Sequence, residues 1–254
     1  MDGLKLDEAR CFLKDSVRMT VDFSRTEQGR GLPPPPLEKP YDASAPRISL
    51  PAPDTWQGVA AVELVAAIRG RESRRRYART PVTLDQLAFL LWATQGIRRR
   101  LNAGTALRAV PSAGARHAFE TYLCILNVAD VGPGIYRYLA VTHELLRVSQ
   151  PEQMAARMVE GTLGQSFVAQ SAVLFAWAAI PHRMEWRYGL ASHKVIAIDA
   201  GHVCQNLYLA CEAIGAGTCA IAAYRQEAMD ALLGVDGQEE FTVYLAAVGL
   251  RAEE

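Results

Sequence analysis

One long apolar segment constrains the fold more than any other part of the sequence. Residues 192–214 repeat apolar side chains with helical spacing, almost all the way round the helix. A helix that is apolar on every side must be covered by other elements on every side. We therefore predict a buried central helix that ends at Gly215, in which His202, beside Asp199, is a satisfied buried histidine.

The segments around this helix mix strands and helices without regular alternation. Apolar runs predict strands at residues 119–128, 135–138, 143–148, 171–180, 218–222 and 241–248. Further helices are predicted at residues 7–23, 59–70, 84–96, 151–158 and 226–233, and Thr83 and Gln86 have capping-box spacing. We interpret residues 98–100, three arginines, as a solvated loop. This order favours an α+β sandwich over a doubly wound parallel sheet.

The N-terminal part differs in composition from the rest. Prolines recur from Pro33 to Pro36 and continue to Pro53, which predicts an extended and stiff segment. We therefore divide the chain into residues 1–54, an N-terminal helix and proline-rich arm, and residues 55–254, the folded domain. The arm is either a plain spacer or a segment that lies across the main body or a partner subunit. A ligand for a proline-reading domain is the least favoured alternative.

The charge balance and the cysteines exclude several classes of protein. Lys and Arg together number 27, as do Asp and Glu, so broad attraction to nucleic acid or to an anionic membrane is not expected. The five cysteines have no zinc-ligand spacing, and we interpret them as reduced thiols in a cytoplasmic protein without a metal site. No apolar run is long enough to span a bilayer, and the N-terminus does not resemble a signal peptide.

A dense basic cluster follows the second predicted helix. Arg71, Ser73 and Arg75 belong to a run of six arginines between residues 69 and 79. Guanidinium groups can hold a phosphate monoester bidentately, and a serine hydroxyl can bind one more of its oxygens. The alternatives are a solvated surface and a nucleic-acid patch.

A loop of small residues follows downstream. Pro111, Ser112, Ala113 and Gly114 would let a flat ring approach the backbone closely, because no large side chain stands in the way. A phosphate site combined with a slot for a flat ring indicates a mononucleotide cofactor. Flavin mononucleotide (FMN) is the leading candidate.

Taken in order, these motifs resemble those of the FMN-dependent nitroreductase superfamily and, within it, the SagB-type (ThcOx-type) dehydrogenases. The resemblance covers residues 33–251 and is carried by residues 71–75, 110–115, 134–138, 199–207 and 215–219. It implies a three-layer sandwich with a central mixed or antiparallel sheet flanked by helices. It also implies an interlocked homodimer with FMN at each of two interface sites.

The resemblance also implies roles for individual positions. Arg71, Ser73 and Arg75 would bind the phosphate and ribityl end of FMN, and Arg251 would be a further phosphate ligand. Residues 111–114 would line the isoalloxazine, from the other subunit. Ala222 and Ala223 match the place where the family presents a backbone N–H to flavin N5, which stabilises the charge of the reduced ring.

SagB-type enzymes oxidise peptide azolines to azoles and pass two electrons to FMN, which requires a group that accepts a proton. The family often carries Lys-Tyr before the central helix, where this sequence has Arg187 and Tyr188. Tyr188 is a candidate acid/base or orienting hydroxyl, or else a packing residue. Arg187 stays protonated and cannot be a general base. Lys194 is an alternative candidate.

Three functions are compatible with these residues. The first is azoline oxidation with peptide-modifying partner proteins. The second is a stand-alone NAD(P)H-dependent nitro or quinone reductase acting on small molecules. The third is a flavin-binding scaffold without turnover, for which Arg187 in place of lysine is the motivation. A nucleic-acid binder is disfavoured by the neutral charge balance.

Overall fold

The computed structural model describes residues 6–252 and is built on a seven-stranded sheet in which all paired strands are antiparallel. Its strand order is β1-β6-β5-β4-β7-β9-β8, and β2 and β3 form a separate hairpin. The strands are β1 (Arg47–Ser49), β2 (Ile97–Asn102), β3 (Thr105–Arg108), β4 (Phe119–Ile125), β5 (Gly134–Leu139), β6 (Glu144–Ser149), β7 (Val173–Ala179), β8 (Ala216–Ile221) and β9 (Phe241–Leu250).

Helices cover both faces of the sheet, so the predicted α+β sandwich is confirmed. They are α1 (Leu6–Leu13), α2 (Leu64–Gly70), α3 (Leu84–Gln95), α4 (Met154–Gly161), α5 (His182–Tyr188), α6 (Ser192–Ala213) and α7 (Gln226–Leu233). Helices α3 and α6 share one apolar core with the sheet, and α4 and α7 share the other. Within the described residues, no helix is long and apolar enough to cross a membrane.

The central strands explain the two cores. In β4, Leu123 and Ile125 pack on the α6 side, while Tyr122 and Cys124 pack on the α4 side. This is the two-residue alternation of a strand. Every residue of β4 and β7 is buried, because both faces of the sheet are covered. Burial on both faces explains why β7 is a continuous apolar run in the sequence.

Helix α6 confirms the predicted central helix, but one stripe of it is not covered. Ile198 is 48% exposed, and His202 is exposed as well. The prediction of a buried His202 is therefore wrong: the sheet and α3 cover only part of the helix, and this residue lies on the open side. Its Nδ1 is 3.7 Å from Oδ1 of Asp199.

Two predicted helices are shorter in the structure. In the segment 7–23, the α-helix ends at Leu13 and the chain continues as 3-10 turns. In the last of these turns, the Asp22 carboxylate accepts a hydrogen bond from the Ser24 N–H, and this local bond competes with helical backbone pairing. The segment 59–70 is helical only from Leu64. The Ala60 N–H instead donates to the Ala213 carbonyl at the end of α6.

The arginines at residues 98–100 are exposed as expected, but they lie in β2 and not in a loop. The chain reverses after them because the Asn102 side chain accepts a hydrogen bond from the Gly104 N–H, and it then pairs with β3. Helix α5 and strands β1 and β3 were not predicted. Both strands are short, and α5 is barely two turns long.

The proline-rich arm lies across the main body, which is one of the alternatives considered for it. Its β1 pairs with β6 at the edge of the sheet. The Lys39 N–H donates to the Glu120 carboxylate at 2.8 Å. Two buried arginines donate to carbonyls of the arm, Arg108 to that of Leu37 and Arg137 to that of Lys39, both at 2.9 Å. The division of the chain at residue 54 stays a prediction.

A buried cluster of charges stabilises the contact between the arm and the main body. The Glu120 carboxylate forms an ion pair with Arg183 of α5, and a second one of 3.8 Å with Arg137 of β5. All three side chains are almost completely buried. Removal of one member of such a cluster leaves the others charged and without a partner, which costs far more than a surface pair does.

We expect Glu120→Gln to lower the free energy of unfolding by about 3–5 kcal/mol, because two buried guanidinium groups lose their anion. Urea denaturation would measure this loss. Glu239→Gln removes the same charge at an exposed position and should change stability by no more than ~0.5 kcal/mol. A loss below 1 kcal/mol for Glu120→Gln, on the order of a surface change, would contradict this description of the cluster.

Candidate active site

The predicted phosphate-binding residues meet near the C-terminal end of α6. The Arg71 guanidinium lies 5.2 Å from the centroid of the Tyr208 ring, and Oγ of Ser73 lies 2.8 Å from the Tyr208 hydroxyl. Arg75 lies 5.8 Å from the ring centroid of Phe167. We call Arg71, Ser73, Arg75 and Tyr208 the cradle. The structure thus brings Arg71 and Ser73 together on a tyrosine that the sequence did not single out, and it places Arg75 against Phe167.

Backbone pairing fixes the cradle against the edge of the sheet. Ser73 forms a parallel bridge with Thr218 of β8, and the Arg74 N–H donates to the Thr218 carbonyl at 3.0 Å. The Tyr208 hydroxyl accepts a hydrogen bond of 3.0 Å from the Ala220 N–H. Tyr208 could have been identified from the sequence, because it places a hydroxyl in the largely apolar helix that leads into Gly215.

Arg251 lies at the same edge but already has an acidic partner. Its Nη2 is 2.5 Å from Oε2 of Glu212, and its Nε donates to the Ala216 carbonyl at 3.0 Å. Ala222 and Ala223 follow β8 directly and are exposed. Their place beside flavin N5, and the phosphate contact of Arg251, stay predictions.

The small-residue loop, residues 111–114, lies near the N-terminal end of α6 and has an unusual backbone. Gly114 has φ 58°, and two non-glycine residues behind it, Ala115 and His117, have φ 53° and 48°. Left-handed backbone at non-glycine residues is uncommon and concentrates at functional sites. The Asp199 carboxylate lies beside the Ser112 hydroxyl and the Ala113 N–H. Burial nevertheless raises the pKa of Asp199.

Helix α5 brings the candidate catalytic residues against this loop. A Cβ atom added to Gly114 would lie 2.7 Å from the Tyr188 hydroxyl and 2.9 Å from Nε of Arg187. Both side chains therefore border the surface on which a flat ring would lie. Lys194 is half-buried in the first turn of α6, and it forms no hydrogen bond or ion pair with any residue between 6 and 252. Catalytic roles for these three residues stay predictions.

The arm also holds α5 in place. The Trp186 indole N–H donates to the Leu32 carbonyl at 3.1 Å, and the Gln28 N–H donates to the Trp186 carbonyl at 2.9 Å. The Arg116 guanidinium lies 5.0 Å from the centroid of the Trp186 ring. Sequence reasoning missed Trp186 and Arg116, because the contacts that make them important come from the arm and from another loop.

The cradle and the small-residue loop lie at different positions along one helix. Asp199 and Tyr208, which contact the loop and the cradle respectively, are about 14 Å apart along α6. Within one chain the two groups therefore do not close into a single compact pocket.

Comparison with known proteins places this chain in a family. The model of the nitroreductase family matches residues 68–250, and the chain belongs to that family. A protein of Methanocaldococcus jannaschii whose name assigns it to the nitroreductases is 28% identical over 192 residues, which are 76% of this chain and 93% of that protein. As a member of this family, the chain is classed with the FMN-dependent oxidoreductases.

Two solved structures show the same fold. A nitroreductase-family structure from Ralstonia eutropha has a TM-score of 0.67 and 25% identity, and the match covers 88% of this chain and 100% of that one. A chain of the E. coli microcin synthetase McbBCD complex with truncated pro-MccB17 bound has a TM-score of 0.60 at 15% identity. That match covers 99% of both chains.

We expect Gly114→Ala to lower the free energy of unfolding by about 1–3 kcal/mol, because a Cβ is strained at this positive φ and also collides with Tyr188. Urea denaturation of the purified variant would measure the effect. Gly132→Ala is the matched control, since nothing lies within 4 Å of its Cβ position and its φ is not positive. Equal stability of the two variants would show that the loop is not constrained as described.

Proposed function

We propose that FMN binds with its phosphate in the cradle. The observation that carries this proposal is the convergence of Arg71 and Ser73 on the Tyr208 ring and hydroxyl, with Arg75 two residues further along the same segment. No carboxylate of the described chain forms an ion pair with Arg71 or Arg75, so their charge is available to an anion. Two guanidinium groups with adjacent hydroxyls suit a phosphate monoester. When bound, FMN would accept or donate the hydride of the reaction.

We propose that the ring-binding surface forms between two copies of the chain. The open stripe of α6 continues into exposed apolar side chains on α2, among them Leu64, Val65 and Ile68. A groove of about 520 Å³ between α2, α3 and α6 is lined by apolar residues such as Phe89 and Trp92. Exposed apolar surface of this kind marks interaction sites. Antiparallel pairing of two α6 helices about a twofold axis would bring the loop of one copy to the cradle of the other.

In this arrangement the loop at residues 111–114 would contact the isoalloxazine, and the N–H groups of Ala222 and Ala223 would face flavin N5. Tyr188 would hold or transfer a proton at its hydroxyl, which lies beside Gly114. Arg187 would remain charged throughout. Lys194 is an alternative candidate for proton transfer. Arg251 is a candidate for a further contact with the phosphate.

The substrate that we propose is a peptide azoline, oxidised to an azole in the manner of SagB-type dehydrogenases, with peptide-modifying proteins as partners and a cytoplasmic location. The support is the structural likeness to a chain of the microcin synthetase complex. This likeness extends over almost the whole chain and therefore includes the proline-rich arm. The alternatives are a stand-alone NAD(P)H-dependent nitro or quinone reductase and a flavin-binding scaffold.

The half-reactions of the FMN-loaded protein separate these functions. Bleaching of the flavin by an azoline peptide under anaerobic conditions supports the proposed reaction. Bleaching by NADH or NADPH, with reoxidation by a nitroaromatic compound or a quinone, supports the stand-alone reductase. A flavin that neither class of donor reduces supports the scaffold.

We expect Arg71→Ala with Arg75→Ala to yield colourless protein, because the phosphate loses both guanidinium partners. The ratio of flavin to protein absorbance measures occupancy. Arg76→Ala with Arg79→Ala removes the same charge from neighbouring exposed positions and should stay yellow. A double variant at residues 71 and 75 that retained full FMN occupancy would contradict the phosphate assignment.

We expect Ile198→Glu to convert a dimer into monomers and to lower FMN occupancy, because a charge would be placed in the stripe of α6 that two copies share. Light scattering after size-exclusion chromatography measures the mass, and wild type should show twice the mass of one chain. Leu163→Glu, a similar change at an exposed residue on the opposite side of the sheet, is the control. A wild-type monomer that retains FMN would contradict the shared site.

A further inference from the structure

We infer that Arg187 is a specificity-determining residue, which binds a carboxylate group of the substrate beside the small-residue loop. The inference rests on the proposed flavin site at residues 111–114. It adds a substrate class to that function: an acceptor or donor molecule, peptide or aromatic, that carries a carboxylate near its reacting atoms.

The first observation is the position of Arg187. Its side chain is half-buried, and its Nε lies 2.9 Å from where a Cβ of Gly114 would be. It stacks beside Tyr188, with 5.5 Å between the guanidinium carbon and the ring centroid. A substrate that lies on the flavin ring next to Tyr188 would therefore be within reach of the Arg187 guanidinium.

The second observation is that the positive charge of Arg187 has no partner. In the part of the chain that the structure describes, Arg187 forms no hydrogen bond and no ion pair. The nearest acids along the chain are already engaged. Glu185 pairs with His193 at 2.9 Å, and Oδ1 of Asp199 lies 3.7 Å from Nδ1 of His202.

The third observation is a second cation beside it. Arg116 is buried, and within residues 6–252 its guanidinium donates only to neutral acceptors: the carbonyls of Gly104 and Gly114 and the hydroxyl of Thr105. Burial, and after it the charge of Arg187, lower the pKa of Arg116. Two guanidinium groups that repel each other in a partly desolvated place form a site that an anion would stabilise.

The chemistry of arginine selects the kind of anion. A guanidinium is planar and permanently charged, and its paired N–H groups match the two oxygens of a carboxylate. A lysine at this position could exchange protons, whereas arginine can only bind and orient. The cradle near the other end of α6 already provides for a phosphate, so the anion at Arg187 is a separate group.

Binding of benzoate and of benzamide tests this inference, because the two molecules share size and shape and differ in charge. Isothermal titration calorimetry would be done on the full-length, FMN-loaded protein, for wild type, Arg187→Gln and Arg187→Lys. A charged hydrogen-bonded pair corresponds to about a 10- to 100-fold difference in affinity. We expect wild type to prefer benzoate by this factor and Arg187→Gln to lose the preference, with benzamide binding unchanged. Arg187→Lys should be intermediate.

Arg157→Gln removes an exposed arginine from α4 and serves as the control, for which the benzoate preference should remain. Equal affinity of wild type for the two ligands, absence of benzoate binding, or an equal effect of Arg187→Gln on both ligands would overturn the inference. Loss of FMN from Arg187→Gln would overturn it too, since Arg187 would then hold the flavin. A wild-type protein that holds no FMN would count against the proposed function instead, and benzoate binding by the apoprotein would still test Arg187.

Discussion

The arrangement of the site depends on one buried carboxylate. Glu120 of β4 accepts a hydrogen bond from the Lys39 N–H of the arm and forms ion pairs with Arg183 of α5 and Arg137 of β5. A single anion thus joins the arm, the sheet and the helix that carries the candidate catalytic residues. Because these charges are removed from water, they are stable only together, and the orientation of α5 follows from that condition.

Helix α6 provides the second constraint. One side of it forms the core with β4, β7 and α3, and two positions along it, about 14 Å apart, contact the loop and the cradle. Its remaining stripe is open, and the exposed apolar residues of α2 adjoin it. The open stripe and the two half-sites have a common explanation if two copies of the chain complete each other's flavin site.

Patterns that depend on local spacing could be predicted from the sequence. The capping box at Thr83 and the periodicity of α6 and α7 are of this kind. In the predicted phosphate motif, Arg71 and Ser73 do meet in space, on Tyr208. Features that arise from distant contacts could not be predicted. The hydrogen bond between Tyr208 and Ser73, and that between Trp186 and the arm, each join residues that are far apart in the sequence. The exposure of His202 could not be predicted, because it depends on which face of α6 the sheet and α3 cover.

The most direct test of the central claim is the visible absorption spectrum of the purified protein, with the released chromophore identified by mass. We expect a yellow protein with flavin bands in the blue and near ultraviolet, which releases one FMN for each chain. A colourless protein that also fails to take up added FMN would contradict it, and the arginines at residues 71 and 75 would then belong to a surface that binds something else.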